Sequence, residues 1–421
     1  MSIAGITIGF VWVFVFLYIG HFWLVFFLLS LGVFAIFGII LAKYGYYSSA
    51  LIINQLSILT FIVIYCIFFD FPTEKFSRTT HQYIPIVFIV GFVNYIRFKS
   101  KLQLLVMILS LILYMFFMIN FSLSTKYDVL PDHIRHSSEW INAILSVSLF
   151  SAAVFLLKNE FEEDGRLKKQ IQSAIVDDEL ELFYQPQVNS DRDIIGVEAL
   201  LRWRHSERGY VAPNDFLPAA QRLGLMPRIG GWVLNECSKT LAEWQNKPGF
   251  QRLHISMNVT ADHVLLDNFD EIIMDTILAY DVNSKLLRLE ITESAFINDF
   301  IKVEKNLRKL KENGFYISID DFGTGYSSLS YIKRLPINQI KIDRSFVADV
   351  SSSLHGAALA KNIIRMGKDL GMDVLAEGIE NKDQFEFMKV NGCNEFQGFY
   401  YGKPMNKNDF EALFSRWQNG A

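Results

Sequence analysis

From Ile3 to Ala42 the chain carries no Asp, Glu, Lys or Arg, an apolar run long enough for two membrane-spanning helices with a turn near Gly20 and His21. The run is too long for a signal peptide, and no small-residue cleavage site follows it. Further apolar stretches at Ala50–Phe69, Ile84–Phe98, Leu102–Phe121 and Trp140–Leu157 bring the expected number of spans to about six, that over Ile84–Phe98 being short. Residues 1–157 therefore read as an all-α, multi-pass membrane region.

Loop charges orient it. Lys43 follows the second span, Arg97, Lys99 and Lys101 lie between the fourth and fifth, and Lys158 follows the sixth. All are cytoplasmic if both termini are inside, which an even number of spans requires. The loops Asp70–Tyr83 and Ser122–Glu139 then face outward, with His81, His133, His136 and Asp132. These could serve a metal or pH sensor, or simply belong to solvated loops, since no closed ligand set is visible. Trp12, Trp23 and Trp140 suit interfacial or packing positions. No charged residue sits clearly inside a span, which counts against a transporter or proton relay.

A formal net charge of −4 offers no basic field for a nucleic acid polymer. Cys66, Cys237 and Cys393 are far apart, fit neither a disulfide framework nor a zinc site, and read as packing residues in a reducing compartment. Residues 158–175 are rich in Glu and Lys, and Leu167, Ile171 and Ile175 recur at helical spacing. That predicts an amphipathic helix, whether a plain tether, a conduit for motion or a dimer contact.

Over 176–421 short β-rich runs alternate with helical ones. LFYQPQV, VEALLRW, HISMNVT, LRLEITES, FYISIDDF, QIKIDRSF, DVLAEGIE and EFQGFYYG read as eight strands. This α/β pattern predicts a (β/α)8 TIM-type barrel, whose working residues lie at the C-terminal strand ends. There stand Glu198, Asn258, Glu290, Asp320 with Asp321, Lys341 with Asp343, Glu377 with Glu380, and Gln397. So many carboxylates on one rim repel unless cations neutralise them. Hard oxygen ligands suit Mg²⁺ or Mn²⁺, and two such ions turn an acidic rim into a phosphate site.

The run Glu198-Ala199-Leu200-Leu201-Arg202-Trp203 resembles the signature of the EAL-domain c-di-GMP phosphodiesterases. The likeness covers roughly 170–415 through motifs in order: YQP at Tyr184–Pro186, PNDFLP from Pro213, MNVT from Met257, EITES from Glu290, DDFGTGYSSL from Asp320, KIDRSF from Lys341, AEGIE from Ala376 and QGFYYGKP from Gln397. It implies hydrolysis of c-di-GMP to linear 5′-pGpG with two metal ions. Glu198, Asn258, Glu290 and Asp320 would hold one ion, and Asp321 would help hold the second, with Asp320 able to bridge. Lys341 would position or activate the attacking water, supported by Asp343, and Glu377 would bind a metal or its water. Glu380 and Gln397 would contact the metal-bound water or the substrate side, and Glu293 would steady the loop carrying the paired aspartates. Arg202 would meet a substrate phosphate and Asp215 a guanine edge. The resemblance also implies a homodimer through this domain, at a bacterial inner membrane.

Gln221 and Arg222 stand where many members carry acids, on a helix expected outside the metal shell. A c-di-GMP receptor without catalysis is the competing reading; such members usually lack a metal ligand or the loop glutamate, and here Glu198, Asn258, Glu290, Glu293, Asp320, Asp321, Lys341, Glu377 and Gln397 are all present.

Overall fold

A computed structural model describes all residues except 1–12, 15, 19, 21, 71, 73, 74, 76, 120–131, 294, 324–331, 352 and 419–421, and for 132–134, 160, 297, 298 and 351 the backbone alone. The chain divides into two compact units, Met1–Glu163 and Asp164–Ala421.

The first unit is helical: α1 (Phe22–Lys43), α2 (Tyr47–Phe68), α3 (Ile84–Phe98), α4 (Lys101–Met118) and the start of α5 (Asp132–Val176). Among the described residues four helices are long and apolar enough to cross a membrane: α1, α2, α4 and the Arg135–Val176 part of α5. The expected count of six is therefore not reached; α3 has 15 residues, and most of the first expected span lies outside the described residues. Apolar composition hides a row of three buried amides. Asn94 Nδ2 donates to Gln103 Oε1 (2.5 Å), and Gln103 Nε2 donates to Gln55 Oε1 (2.8 Å), linking α3, α4 and α2. Gly91 permits this approach, since a Cβ there would lie 2.8 Å from Gln103 Nε2.

Among the described residues of the α2–α3 connection, Asp70 and Arg78–Thr80 are held by internal hydrogen bonds. Asp70 Oδ2 accepts the N–H groups of Thr79 (2.9 Å) and Thr80 (2.7 Å), while Arg78 Nη1 reaches Phe117 O (3.1 Å). His81 is buried there, against the expectation of an open loop, and His136 is exposed; the side chains of Asp132 and His133 lie outside the described residues, as does Trp12.

In the second unit the strands are β1 (Leu180–Asn189), β2 (Ile194–His205), β3 (Gly209–Val211), β4 (His254–Val259), β5 (Leu287–Thr292), β6 (Tyr316–Phe322), β7 (Gln339–Ile342), β8 (Asp373–Ala376) and β9 (Glu395–Gln397). They pair in the order β1-β9-β8-β7-β6-β5-β4-β2, and β1 also pairs with β2, so eight strands close a barrel, while β3 extends β2 as a hairpin. Seven strands are parallel. β1 alone runs antiparallel to both neighbours. The reason is local: only Ser190–Asp193 connect β1 to β2, held by Asn189 Oδ1 accepting the N–H groups of Asp191 (2.9 Å) and Asp193 (2.8 Å). So short a link makes a hairpin, whereas a parallel return needs a crossover of a dozen or more residues.

Alternation along the strands sends Leu289, Ile291, Ile317, Ile319 and Ile340 to a continuous buried apolar core. Helices supply the other side of that layer at helical spacing, as with Val303, Leu307 and Leu310 on Phe300–Glu312, whose start is capped by Asp299 Oδ1 accepting Lys302 N–H (3.1 Å). Leu167, Ile171 and Ile175 of α5 join the same core, so the apolar face foreseen in the connector is taken up by the barrel. Polar groups also stand on these strands, with Arg288 paired to Glu395 (2.7 Å), Tyr316 donating to Asp373 (2.6 Å) and Gln339 donating to Glu395 (2.8 Å). All three cysteines are buried and free.

Candidate active site

The rim residues arise from register. Asn258 on β4 lies beside Glu290 on β5, and Thr292 beside Asp320 on β6. Consecutive strand residues normally point to opposite faces. At the end of β6 the pairing with β7 slips between Ile319 and Phe322, and Asp321 takes a left-handed φ of 53°. This bulge redirects the chain so that Asp320 and Asp321 approach one place. Carboxylate oxygens of Asp320, Asp321 and Glu377 lie within 4.8 Å of one another.

Lys341 is fully buried at the centre. Its Nζ stands 2.5 Å from Glu290 Oε2, 2.6 Å from Glu377 Oε1, 2.9 Å from Asp320 Oδ1 and 3.9 Å from Glu198 Oε2. Burial opposes its charge, but Asp320, Glu198, Glu290 and Glu377 together hold its pKa well above the usual lysine range. One cation does not neutralise so many acids. Burial pushes the Glu290 carboxyl up to about 8 and raises Glu377 well above the carboxylate range. Burial acts the same way on Asp320, where the Lys341 contact outweighs it and lowers the pKa. Asp321 is raised by burial and by the charge of Asp320.

Glu198 accepts from Asn258 Nδ2 (2.7 Å) and from Gln397 Nε2 (2.5 Å), which ties three expected site residues into the cluster. Glu293 lies one step out: its Oε1 accepts the Gly323 N–H (3.2 Å), one residue beyond the end of β6. Asp343 caps the next helix, accepting Ser345 N–H (3.0 Å) and Oγ–H (2.5 Å). Arg202 stacks its guanidinium 5.6 Å from the Phe183 ring centre and donates to Leu201 O (2.8 Å). Asp215, in the first turn of helix Pro213–Arg222, and Glu380 are exposed and make no side-chain bond to the cluster. Gln221 and Arg222 are exposed on that same helix, Arg222 reaching Asp164 at 3.4 Å.

Sequence reasoning missed Gln185, Gln187, His254 and Ser256, which lie buried beneath the rim. The signal was available: Gln185 and Gln187 alternate with the apolar Tyr184, Pro186 and Val188, the spacing of one sheet face.

The EAL domain model matches residues 168–404, and the chain belongs to the EAL domain family. It is 38% identical over 245 residues to the bifunctional diguanylate cyclase/cyclic di-GMP phosphodiesterase MucR of Pseudomonas aeruginosa, covering 58% of this chain and 36% of that protein. It is 36% identical over 304 residues to the oxygen sensor protein DosP of Escherichia coli, covering 70% and 37%. The chain thus spans well under half the length of these curated relatives. Among solved structures, the P. aeruginosa MucR phosphodiesterase in complex with c-di-GMP superposes with a TM-score of 0.56 at 37% identity, covering 58% of this chain and 99% of that one. The EAL enzyme Bd1971, bound to cAMP and cyclic di-GMP, gives 0.59 at 30% identity, covering 65% and 75%.

Proposed function

We propose that the chain is a membrane-anchored, metal-dependent phosphodiesterase that opens cyclic di-GMP to linear 5′-pGpG. One observation carries the reading: buried carboxylates from successive strands surround the single Lys341, in a barrel like that of the c-di-GMP-bound MucR phosphodiesterase.

The residues fit divalent cations. Glu290 is fully buried, yet its Oε1 has no hydrogen-bond partner among the described residues, an acceptor without a donor. Asn258 spends its Nδ2 on Glu198, which leaves the hard amide oxygen for a ligand role. Glu198, Asn258, Glu290 and Asp320 would hold one Mg²⁺ or Mn²⁺, and Asp321 with Glu377 a second. Such ions supply Lewis-acid activation of water and neutralise the phosphate.

The protein's own groups do the rest. Lys341 holds the carboxylates in register and stands where it can orient a water or take its proton, since added cations would lower its pKa. Arg202, fixed over Phe183, meets a substrate phosphate, and Asp215 at the rim meets a guanine edge. Glu293 anchors the loop after β6 through Gly323. Asp343, Glu380 and Gln397 support the water and the substrate side. Residues 1–157 form the inner-membrane region, 158–175 the connector and 176–421 the enzyme, with Lys43, Arg97, Lys99 and Lys101 cytoplasmic and a homodimer formed through the barrel.

The full-length chain in detergent, given c-di-GMP and Mg²⁺, should yield pGpG by chromatography, and none with chelator. Tight binding without turnover would instead make it a receptor.

A further inference from the structure

Below Glu198 a row of side-chain amides descends into the barrel. Gln187 on β1 is fully buried, faces Gln397 across the β1–β9 pairing, and donates from Nε2 to Gln397 Oε1 (2.9 Å). Gln187 Oε1 meets His254 Nε2 (2.9 Å) and Ser256 Oγ (3.3 Å). Gln397 Nε2 spends its two hydrogens on Gln185 Oε1 (3.0 Å) and Glu198 Oε2 (2.5 Å).

An amide side chain can usually turn over and exchange its oxygen with its nitrogen. Here the row has one workable polarity. If Gln397 turned over, its carbonyl would face the Glu198 carboxylate and the Gln185 carbonyl, two acceptor–acceptor contacts in a buried place. The anion at the top therefore sets Gln397, Gln397 sets Gln187, and Gln187 Oε1 calls for donors from below, which places a proton on His254 Nε2.

We propose that Gln187 is a positioning residue: acting through Gln397, it fixes the direction in which Glu198 presents its carboxylate to the cation site. The role rests on the phosphodiesterase reading, but Gln187 itself stands apart from the groups expected to touch metal or substrate, reaching Glu198 only through Gln397. Outer partners that orient a ligand typically change metal affinity or activity by about 10- to 100-fold when lost. Replacing Gln187 by Leu keeps the approximate volume and removes all three bonds, to Gln397, His254 and Ser256.

The test is a double-mutant cycle in the full-length protein in detergent, with Gln187→Leu, Gln397→Ala and the pair. Mn²⁺ affinity is read by electron paramagnetic resonance, and c-di-GMP turnover as kcat and KM separately. Gln187→Leu should weaken Mn²⁺ by about tenfold and lower kcat similarly, with KM changed less than about twofold. In the Gln397→Ala background the same substitution should change Mn²⁺ affinity less than about twofold, because the intermediary is gone. An equal effect in both backgrounds would overturn the proposal. Should Gln187→Leu fail to fold, Ser256→Ala, which removes one donor to Gln187 Oε1, is put through the same cycle; its Mn²⁺ effect should be smaller and should likewise vanish without Gln397, and persistence would count against the proposal. If the wild type does not turn over c-di-GMP, the proposed function fails, and the Mn²⁺ arm alone decides the role of Gln187.

Discussion

Lys341 Nζ lies 2.5 Å from Glu290 Oε2, and neither side chain is exposed to solvent. Removing one partner of a buried pair commonly destabilises by about 3–5 kcal/mol, because the other charge is left uncompensated. In this site the two partners are not equivalent, since acids outnumber the one cation.

Lys341→Met should therefore lower the thermal midpoint of the chain in chelator, by an amount corresponding to about 3 kcal/mol or more, and millimolar Mg²⁺ should restore most of it by binding the folded state. Glu290→Gln should lower stability far less in chelator while abolishing turnover. Equal losses in the two variants would show that the cluster is already neutralised by protonation.

Asp321 adopts a left-handed φ of 53°. Strain of this kind is worth about 1–3 kcal/mol. Asp321→Gly should stabilise the barrel by about 1 kcal/mol and abolish hydrolysis, whereas Asp321→Asn should lose activity without the gain in stability. Thermal unfolding and pGpG production on the two variants separate these effects.

His263 is buried, with neither ring nitrogen hydrogen-bonded among the described residues, and burial lowers its pKa from 6.5 to about 4. His254 is likewise lowered well below 6.5, first by burial and then by Arg288. Because the unfolded chain takes up these protons first, their stabilising contribution is complete above pH 6.5 and is lost as pH falls below it. For His263 the loss reaches roughly 3 kcal/mol near pH 4. His263→Phe should raise the unfolding midpoint more at pH 5 than at pH 8. A uniform rise across that range would mean that His263 does not contribute to the acid sensitivity.

Within the helical unit, Gln103→Leu strips Asn94 and Gln55 of their shared partner. Buried amide bonds between membrane helices are worth about 0.6–2 kcal/mol. The variant should unfold in detergent at lower temperature, and the triple substitution Gln55→Leu, Asn94→Leu, Gln103→Leu should recover most of the difference.

The acids at the strand ends were legible because each ends a short β-rich run, and one barrel rim is where such ends meet. The barrel itself was legible from alternation, but the reversed β1 was overlooked, although the brevity of Ser190–Asp193 encodes it. Asp321 was named among the strand-end acids, but the bulge that turns it was not readable, because a bulge is a property of two strands in register rather than of one. Glu198 and Gln397 were named from the sequence, but their linkage to Gln187 was hidden for a similar reason: alternation marks Gln185 and Gln187 as sharing a face without saying which side chains they meet. In the helical unit, averaging over apolar runs concealed Gln55, Asn94 and Gln103. Span counting ran past what the described residues contain, since α3 is short and the first expected span lies mostly outside them.

Because β1 runs backwards, its first residue, Leu180, pairs with Trp203 near the end of β2. Just before it, Glu179 Oε2 accepts Trp203 Nε1–H (3.0 Å), and Glu179 O accepts the Arg204 N–H (2.7 Å). A strand running with the others would have admitted the chain at the opposite floor, behind the whole depth of the core. Here the doorway opens on the edge where the strand-end acids stand, and the two anchoring points, Trp203 and Arg204, directly follow Arg202 in the chain.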